Sequence, residues 1–183
     1  QCWIHLVVIF FVSLPLMAEV SDAEKTVAQY EKAAEQGDSD AQNKLGVMYY
    51  KGEGVVKDSE KAVYWWEKAA EQGYASAQFN LGLMYYKGEG GVKDYEKAVY
   101  WYEKAAEQGD ADAQSQLGLM YYKGQGVVKD LEQSYAHFLL AAALGSEGAM
   151  EKRDLVESML DSAAISRAQK EAKQRLEAIR ARR

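Results

Sequence analysis

The chain has 183 residues with Lys+Arg 22 against Asp+Glu 28, a net charge of −6 that argues against nucleic acid as a partner. Its length suits one ordinary domain. Its single cysteine, Cys2, excludes disulfides, cysteine-based zinc sites and thiol nucleophiles from the rest of the chain. The charge is uneven, because residues 167–183 hold seven cations and two anions, so a tail of net +5 succeeds a body of net −11.

Residues 1–18 contain no Asp, Glu, Lys or Arg, and the mostly apolar run from Trp3 to Ala18 is 16 residues long and broken by Pro15. A helix needs about 20 apolar residues to cross a bilayer. The run therefore reads as a secretory signal peptide with Ala18 before the cleavage point, an uncleaved anchor being the alternative. It lacks the initiator Met and basic leader of such a peptide, since the sequence starts at Gln1. Cys2 is not placed for lipoprotein attachment.

Residues 19–36 carry a single helical pattern, Asp22 to Gln36, expected to cap the N-terminal end of a repeat array. From Ala33 to Lys68 the chain writes a pattern that it repeats from Ala69 to Lys104, identical at 27 of 36 positions. The string Ala-Ala-Glu-Gln-Gly recurs at 33, 69 and 105, and as Ala-Ala-Ala-Leu-Gly at 141, always 36 residues apart. A fixed period of this length is the mark of such an array.

Each copy holds two helices. In the first, Ala41, Leu45, Met48 and Tyr49 make one apolar stripe behind an Asp38 cap. Gly52 and Gly54 end it. Asp58 caps the second, whose stripe is Ala62, Trp66, Ala69 and Ala70, and Gly73 ends that one. Small residues at Ala41/Ala77/Ala113, Gly46/Gly82/Gly118 and Ala69/Ala105/Ala141 allow close helix approach, with Leu45/Leu81/Leu117, Tyr49/Tyr85/Tyr121 and Trp65/Trp101 filling the space opposite. No helix pair buries both its faces, so neighbouring copies bury them for each other. The third copy departs after Asp130, where His137, Phe138, Leu139 and Leu140 stand for Trp-Trp-Glu-Lys. The new apolar face needs a cover. Helices over 149–160 and from about Ala163 onward supply it, the latter with Ile165, Ala168, Ala172, Leu176 and Ile179 beside a basic face.

The pattern carried by Ala41, Leu45, Gly46, Tyr49, Gly52, Gly54, Val55, Asp58, Ala62, Trp65, Lys68, Ala69, Ala70 and Gly73, and by their counterparts in the later copies, resembles the Sel-one-like repeat, a relative of the tetratricopeptide repeat. Gly91 departs from it where Val is usual, which is expected to loosen that turn. The resemblance covers roughly residues 22 to 160. It implies an all-α, α/α superhelical solenoid that serves as an adaptor or scaffold for protein complexes, with exported bacterial members common. The expected organisation is a signal peptide at 1–18, a capping helix at 19–36, the solenoid at 37–160 and a basic amphipathic cap at 161–183. Relatives with a disulfide in each repeat are a poor match to this cysteine-free body.

The first two copies differ chiefly at 40, 43, 44 and 47, a stripe opposite Ala41, Leu45 and Tyr49. In solenoids of this kind the first helix of each unit lines the concave surface. The candidate protein-binding groove is then Asn43, Val47, Tyr50, Phe79, Asn80, Leu83, Tyr86, Ser115, Gln116, Leu119 and Tyr122. Asn80 and Gln116 are suited to bonding an extended peptide backbone, and the tyrosines offer large amphipathic contact area. The competing reading makes Val47, Leu83 and Leu119 packing between repeats and the rest solvated surface.

Gly-x-Gly at 52, 88 and 124 comes after no strand and repeats in every turn, so it ends helices rather than cradling phosphates. The pairs Asp38/Asp40 and Asp110/Asp112 lack the further ligands of a calcium site and read as caps. His137 stands where Trp65 and Trp101 do, as a packed histidine. No nucleophile, metal or cofactor constellation is present. The expected function is a non-enzymatic exported scaffold that binds a protein or peptide. The alternative is an envelope hydrolase or glycan- or β-lactam-binding protein related to cysteine-rich relatives. Membrane contact is expected only through the N-terminal segment, or through the tail Arg175–Arg183 if it docks anionic lipid or an acidic partner.

Overall fold

The computed structural model describes residues 22–182; the apolar segment 1–18 lies outside them. The described residues fold into α-helices and turns alone. The helices are α1 (Asp22–Glu35), α2 (Ser39–Lys51), α3 (Ser59–Glu71), α4 (Ala75–Lys87), α5 (Tyr95–Glu107), α6 (Ala111–Lys123), α7 (Leu131–Ala143), α8 (Ala149–Glu157) and α9 (Ser162–Ala181). Each packs mainly on its sequence neighbours, and α9 packs on α7. That is the connectivity of a solenoid, in which α2, α4 and α6 are first helices and α3, α5 and α7 second helices of their copies.

Aspartate caps set the helix starts. The side chains of Asp38, Asp58, Asp94 and Asp110 each accept the backbone N–H three residues on, at 2.8–3.0 Å. Asp130 and Asp161 do the same for α7 and α9. This satisfies one of the otherwise orphaned amides of the first turn. Helix α4 lacks such a cap, because Tyr74 stands where the others have Asp. Its hydroxyl instead donates to Asp40 Oδ1 at 2.8 Å, which ties the second copy to the first. Gly52, Gly88 and Gly124 end α2, α4 and α6 at φ 79°, 76° and 67°, the left-handed region open to glycine. Gly91 does not alter this turn: Gly88 and Gly90 keep φ 76° and 77°, and Asp94 still caps α5.

The expected stripes are buried: Ala41, Leu45 and Tyr49 on α2, and Ala62, Trp66, Ala69 and Ala70 on α3. Met48 is only half-buried, and Gln42 is the inward residue instead. The deep aromatic of each second helix is Trp66, Tyr102 or Phe138, whereas Trp65 and Trp101 are half-buried. Each deep ring lies on a glycine of the preceding helix. A Cβ on Gly82 would meet Tyr102 at 2.5 Å, so only glycine admits the ring there.

A buried glutamine ladder links the copies. Gln42, Gln78 and Gln114 donate from Nε2 to the carbonyls of Ala34, Ala70 and Ala106 at 3.0–3.1 Å. Gln72 and Gln108 in turn donate to Oε1 of Gln42 and Gln78 at 2.7 and 2.8 Å. In the third copy the donor position is Leu144, and His137 Nδ1 takes over the bond to Gln114 Oε1 at 2.7 Å. Arg175 Nη1 donates to His137 Nε2 at 3.1 Å, which places the ring proton on Nδ1. Burial, with Arg175 beside it, pushes His137 down to about 3, so the ring is neutral.

The C-terminal region covers the apolar face of the third copy. Leu140 is buried among Phe138, Val156, Ala168 and Ala172, with Leu139, Ile165 and Leu176 packed around them. Helix α8 continues the series of first helices. Its Ala149 stands 36 residues beyond Ala113 and is equally buried, at 0 % exposure.

Candidate functional site

The eleven expected groove residues lie on α2, α4 and α6, and a few polar contacts link neighbouring first helices near them. Asn80 Nδ2 donates to Asn43 Oδ1 at 3.4 Å, and Lys87 Nζ to the Tyr50 hydroxyl at 3.5 Å. The Tyr86 hydroxyl donates to Gln125 Oε1 at 3.4 Å in the next turn.

Individual residues sit at different depths. Val47 and Tyr50 pack against the first core cluster, Phe79 and Tyr86 against the second, and Leu119 and Tyr122 against the third. Tyr50 leans on Trp66 with ring centroids 5.8 Å apart, and Phe79 on Tyr102 at 5.7 Å. Leu83 and Gln116 are half-buried and belong to none of these clusters. Ser115 is buried under α8, where Lys152 Nζ donates to its Oγ at 3.2 Å. The stripe is thus partly packing and partly available surface, and α8 closes it at the third copy.

Lysines frame the tyrosines. Lys57 lies over the Tyr50 ring at 5.5 Å and Lys129 over Tyr122 at 5.7 Å, an attraction between cation and ring face. At the start of α2, Asp40 pairs with Lys44 at 2.6 Å. The Lys44 and Tyr74 bonds hold the Asp40 carboxyl below its ordinary value, and Asp40 in turn raises Lys44 and Tyr74. Asp40 thus joins two copies, and no group of three or more His, Cys, Asp or Glu among the described residues is placed to hold a metal ion.

Three arginines of the basic tail are ion-paired, though Arg167 and Arg182 stay largely exposed. Arg167 pairs with Glu132 at 2.7 Å, Arg175 with Glu171, and Arg182 with Glu107 at 3.9 Å. Within one chain, α9 already has an acidic partner in α5 and α7. No helix among the described residues is long and apolar enough to cross a membrane.

Sequence reasoning missed the node of Gln114, His137, Tyr121 and Arg175. The rings of Tyr121 and His137 stack at 5.4 Å with 12° between their planes. One signal was present: the third copy loses Trp at 137 and Gln at 144 together, and the first loss compensates the second.

Comparison with known proteins returns the same architecture. The family model described as Sel1 repeat matches residues 21–38, 39–74, 75–110 and 111–146. The crystal structure of c5321, a protective antigen present in uropathogenic Escherichia coli strains and displaying an SLR fold, is 39 % identical with a TM-score of 0.79 over 85 % of this chain and 33 % of that one. A Sel1 repeat protein from Oxalobacter formigenes is also 39 % identical, with a TM-score of 0.64 over 72 % of this chain and 60 % of that one. Cysteine rich protein B of Helicobacter pylori is 31 % identical, with a TM-score of 0.57 over 71 % of this chain and 93 % of that one. The chain thus spans about a third of the length of the E. coli antigen and 60 % of the Oxalobacter protein. No curated protein matched. Sel1 repeats generally mediate protein–protein interactions and are typically non-catalytic scaffolds. With the family model matched over most of its length and the helix pairs recurring in register, the chain belongs to the Sel1 repeat family.

Proposed function

We propose that the protein is an exported, non-catalytic scaffold that binds an extended peptide or a protein surface along the outward face of α2, α4 and α6. The repeats at 37–160 form the binding array and 161–183 its cap. The observation that carries this reading is the half-buried row Tyr50, Leu83, Tyr86 and Tyr122. Residues half-exposed in the free molecule and rich in Tyr give contact area at small ordering cost. Export rests on the apolar run from Trp3 to Ala18, which has the length and composition of a signal sequence.

A peptide selected from a display library on the full chain provides the probe. Its affinity should fall about tenfold or more for Leu83→Ala combined with Tyr86→Ala, a loss of roughly 1.4 kcal/mol or more. It should be unchanged for Tyr100→Ala on a second helix. Equal affinity of wild type and the Leu83/Tyr86 double variant, with the helical spectrum intact, would place binding elsewhere. Sustained turnover of a chromogenic β-lactam or cell-wall substrate by the purified protein would instead favour the hydrolase alternative.

A further inference from the structure

The same tyrosine of each first helix faces a glutamate of the helix before it, and the three pairs are not made in the same way. In the first copy the Tyr49 hydroxyl donates to Glu31 at 3.0 Å, and in the second Tyr85 donates to Glu67 at 3.2 Å. Trp65 and Trp101 fill the space beside these bonds. In the third copy the corresponding residues are Tyr121, Glu103 and His137. Tyr121 and Glu103 influence one another's surroundings but form no hydrogen bond, and neither has a hydrogen-bond partner among the described residues. The smaller imidazole leaves room, and a cavity of about 400 Å³ opens there between α5, α6, α7 and the end of α9.

The walls of this cavity differ in charge. Glu103 and Glu107 come from α5, Arg175 and Arg182 from α9, and Leu117 and Ile179 line it with buried apolar surface. Arg175 is steadied by Glu171, Gln133 and His137, which leaves N–H donors of its guanidinium uncommitted. Glu103 and Arg175 are close enough to interact through space yet form no ion pair. Burial, and then Glu107, hold the Glu103 carboxyl above its ordinary range, while Arg175 and Lys104 pull it the other way without closing an ion pair.

We propose that this cavity is a binding site for a small zwitterion, an α-amino acid with an aliphatic side chain. Its ammonium sits between the Glu103 carboxylate and the Tyr121 hydroxyl, its carboxylate on Arg175, and its side chain on Ala178 and the edge of Ile179. The two charged ends of the ligand bridge Glu103 on α5 and the N–H donors of Arg175 that its pairing with Glu171 leaves uncommitted. Charge-assisted hydrogen bonds at both ends set the orientation, and the apolar floor selects the side chain. The site is separate from the outward face of the first helices and stands whether or not that face binds a peptide.

Titration calorimetry of the full chain with glycine, L-alanine, L-leucine and L-phenylalanine tests the proposal, with N-acetyl-L-leucine and L-leucinamide as probes lacking one charge each. The expected result is saturable one-to-one binding of leucine, with both blocked forms about tenfold weaker or worse. Glu103→Gln in α5 should weaken leucine by a similar factor, while Glu67→Gln, whose partner is Tyr85, should leave it unchanged. His137→Trp, which restores the plug of the first two copies, should abolish binding. Four outcomes would each overturn the assignment: no saturable binding of any of the four amino acids, equal binding of the blocked forms, indifference to Glu103→Gln, or equal sensitivity to Glu67→Gln.

Discussion

The deep aromatic position of the three copies is an internal experiment in hydrogen bonding. Trp66 donates from Nε1 to the carbonyl of Asn43 at 3.2 Å, and Phe138 has no polar atom to satisfy. Tyr102 is fully buried, and its hydroxyl finds no partner among the described residues. Burial also pushes its phenol well above the ordinary range, so it stays protonated. An unpaired buried hydroxyl costs about 1–3 kcal/mol relative to leaving it in water. Tyr102→Phe removes one oxygen and keeps the ring on Gly82, so the packing lost is small. The net expectation is a gain of about 1 kcal/mol, or about 2–4 °C in melting temperature for a chain of this size. Urea and thermal denaturation followed by circular dichroism would measure it, the midpoint rising with the urea dependence unchanged. Tyr135→Phe is the matched control, because that hydroxyl donates to Glu157 Oε2 at 3.0 Å and its loss should cost about 1 kcal/mol. If Tyr102→Phe destabilised as much as Tyr135→Phe, the hydroxyl would have a partner, such as a buried water, and the reasoning would fail.

The neutral His137 makes stability depend on pH. Its folded value of about 3 lies below the unfolded 6.5, so its contribution is complete above pH 6.5 and is lost as the pH falls toward 3. Between pH 7.5 and pH 5 the wild type should lose about 2 kcal/mol more than His137→Gln, in which the carboxylates titrate alike but the imidazole is gone. Gly82→Ala should destabilise by about 1–3 kcal/mol through the clash with Tyr102, outweighing the roughly 1 kcal/mol that alanine contributes to helix propensity. A melting temperature equal to or above that of wild type would show that the ring yields. Asp161→Ala should cost about 1 kcal/mol and speed amide exchange in the first turn of α9, with the remaining helices unaffected.

The repeat period, the Asp caps and the buried stripes were legible because they are local and written several times. Asp38 and Asp58 need only look three residues ahead to bond Ala41 and Lys61, and Ala62 and Trp66 face inward because helical spacing puts them there. The cover over Leu140 was also legible, since two charged positions turned apolar within an otherwise unchanged copy. The groove residues were legible as a stripe but not in depth. Ser115 disappears beneath Lys152 because α8 continues the first-helix series although its own sequence, AMEKRDLVE, keeps little of the first-helix pattern. The cavity was not legible at all. Its parts are Glu103, Tyr121, His137 and Arg175, and they meet because α9 packs along α7 until its end reaches α5, where Arg182 meets Glu107 across 75 residues. No local periodicity encodes a meeting at that distance, and a histidine replacing a tryptophan looks at first like simple decay of the repeat.

The exchange of Trp for His at 137 also bears on how the chain finds its register. Copies one and two are so alike that, by their repeated helices alone, they offer α9 nearly the same docking face as the third. The indoles of Trp65 and Trp101 stand on the first two, and only the third offers an imidazole acceptor for Arg175 beside a space for Ile179. His137, together with the apolar Leu139 and Leu140, therefore acts as a positional address on the third copy of a repetitive chain. Arrays of identical units lack such an address, and their ends must be distinguished by sequence outside the repeat; here the distinction is carried by the last repeat itself.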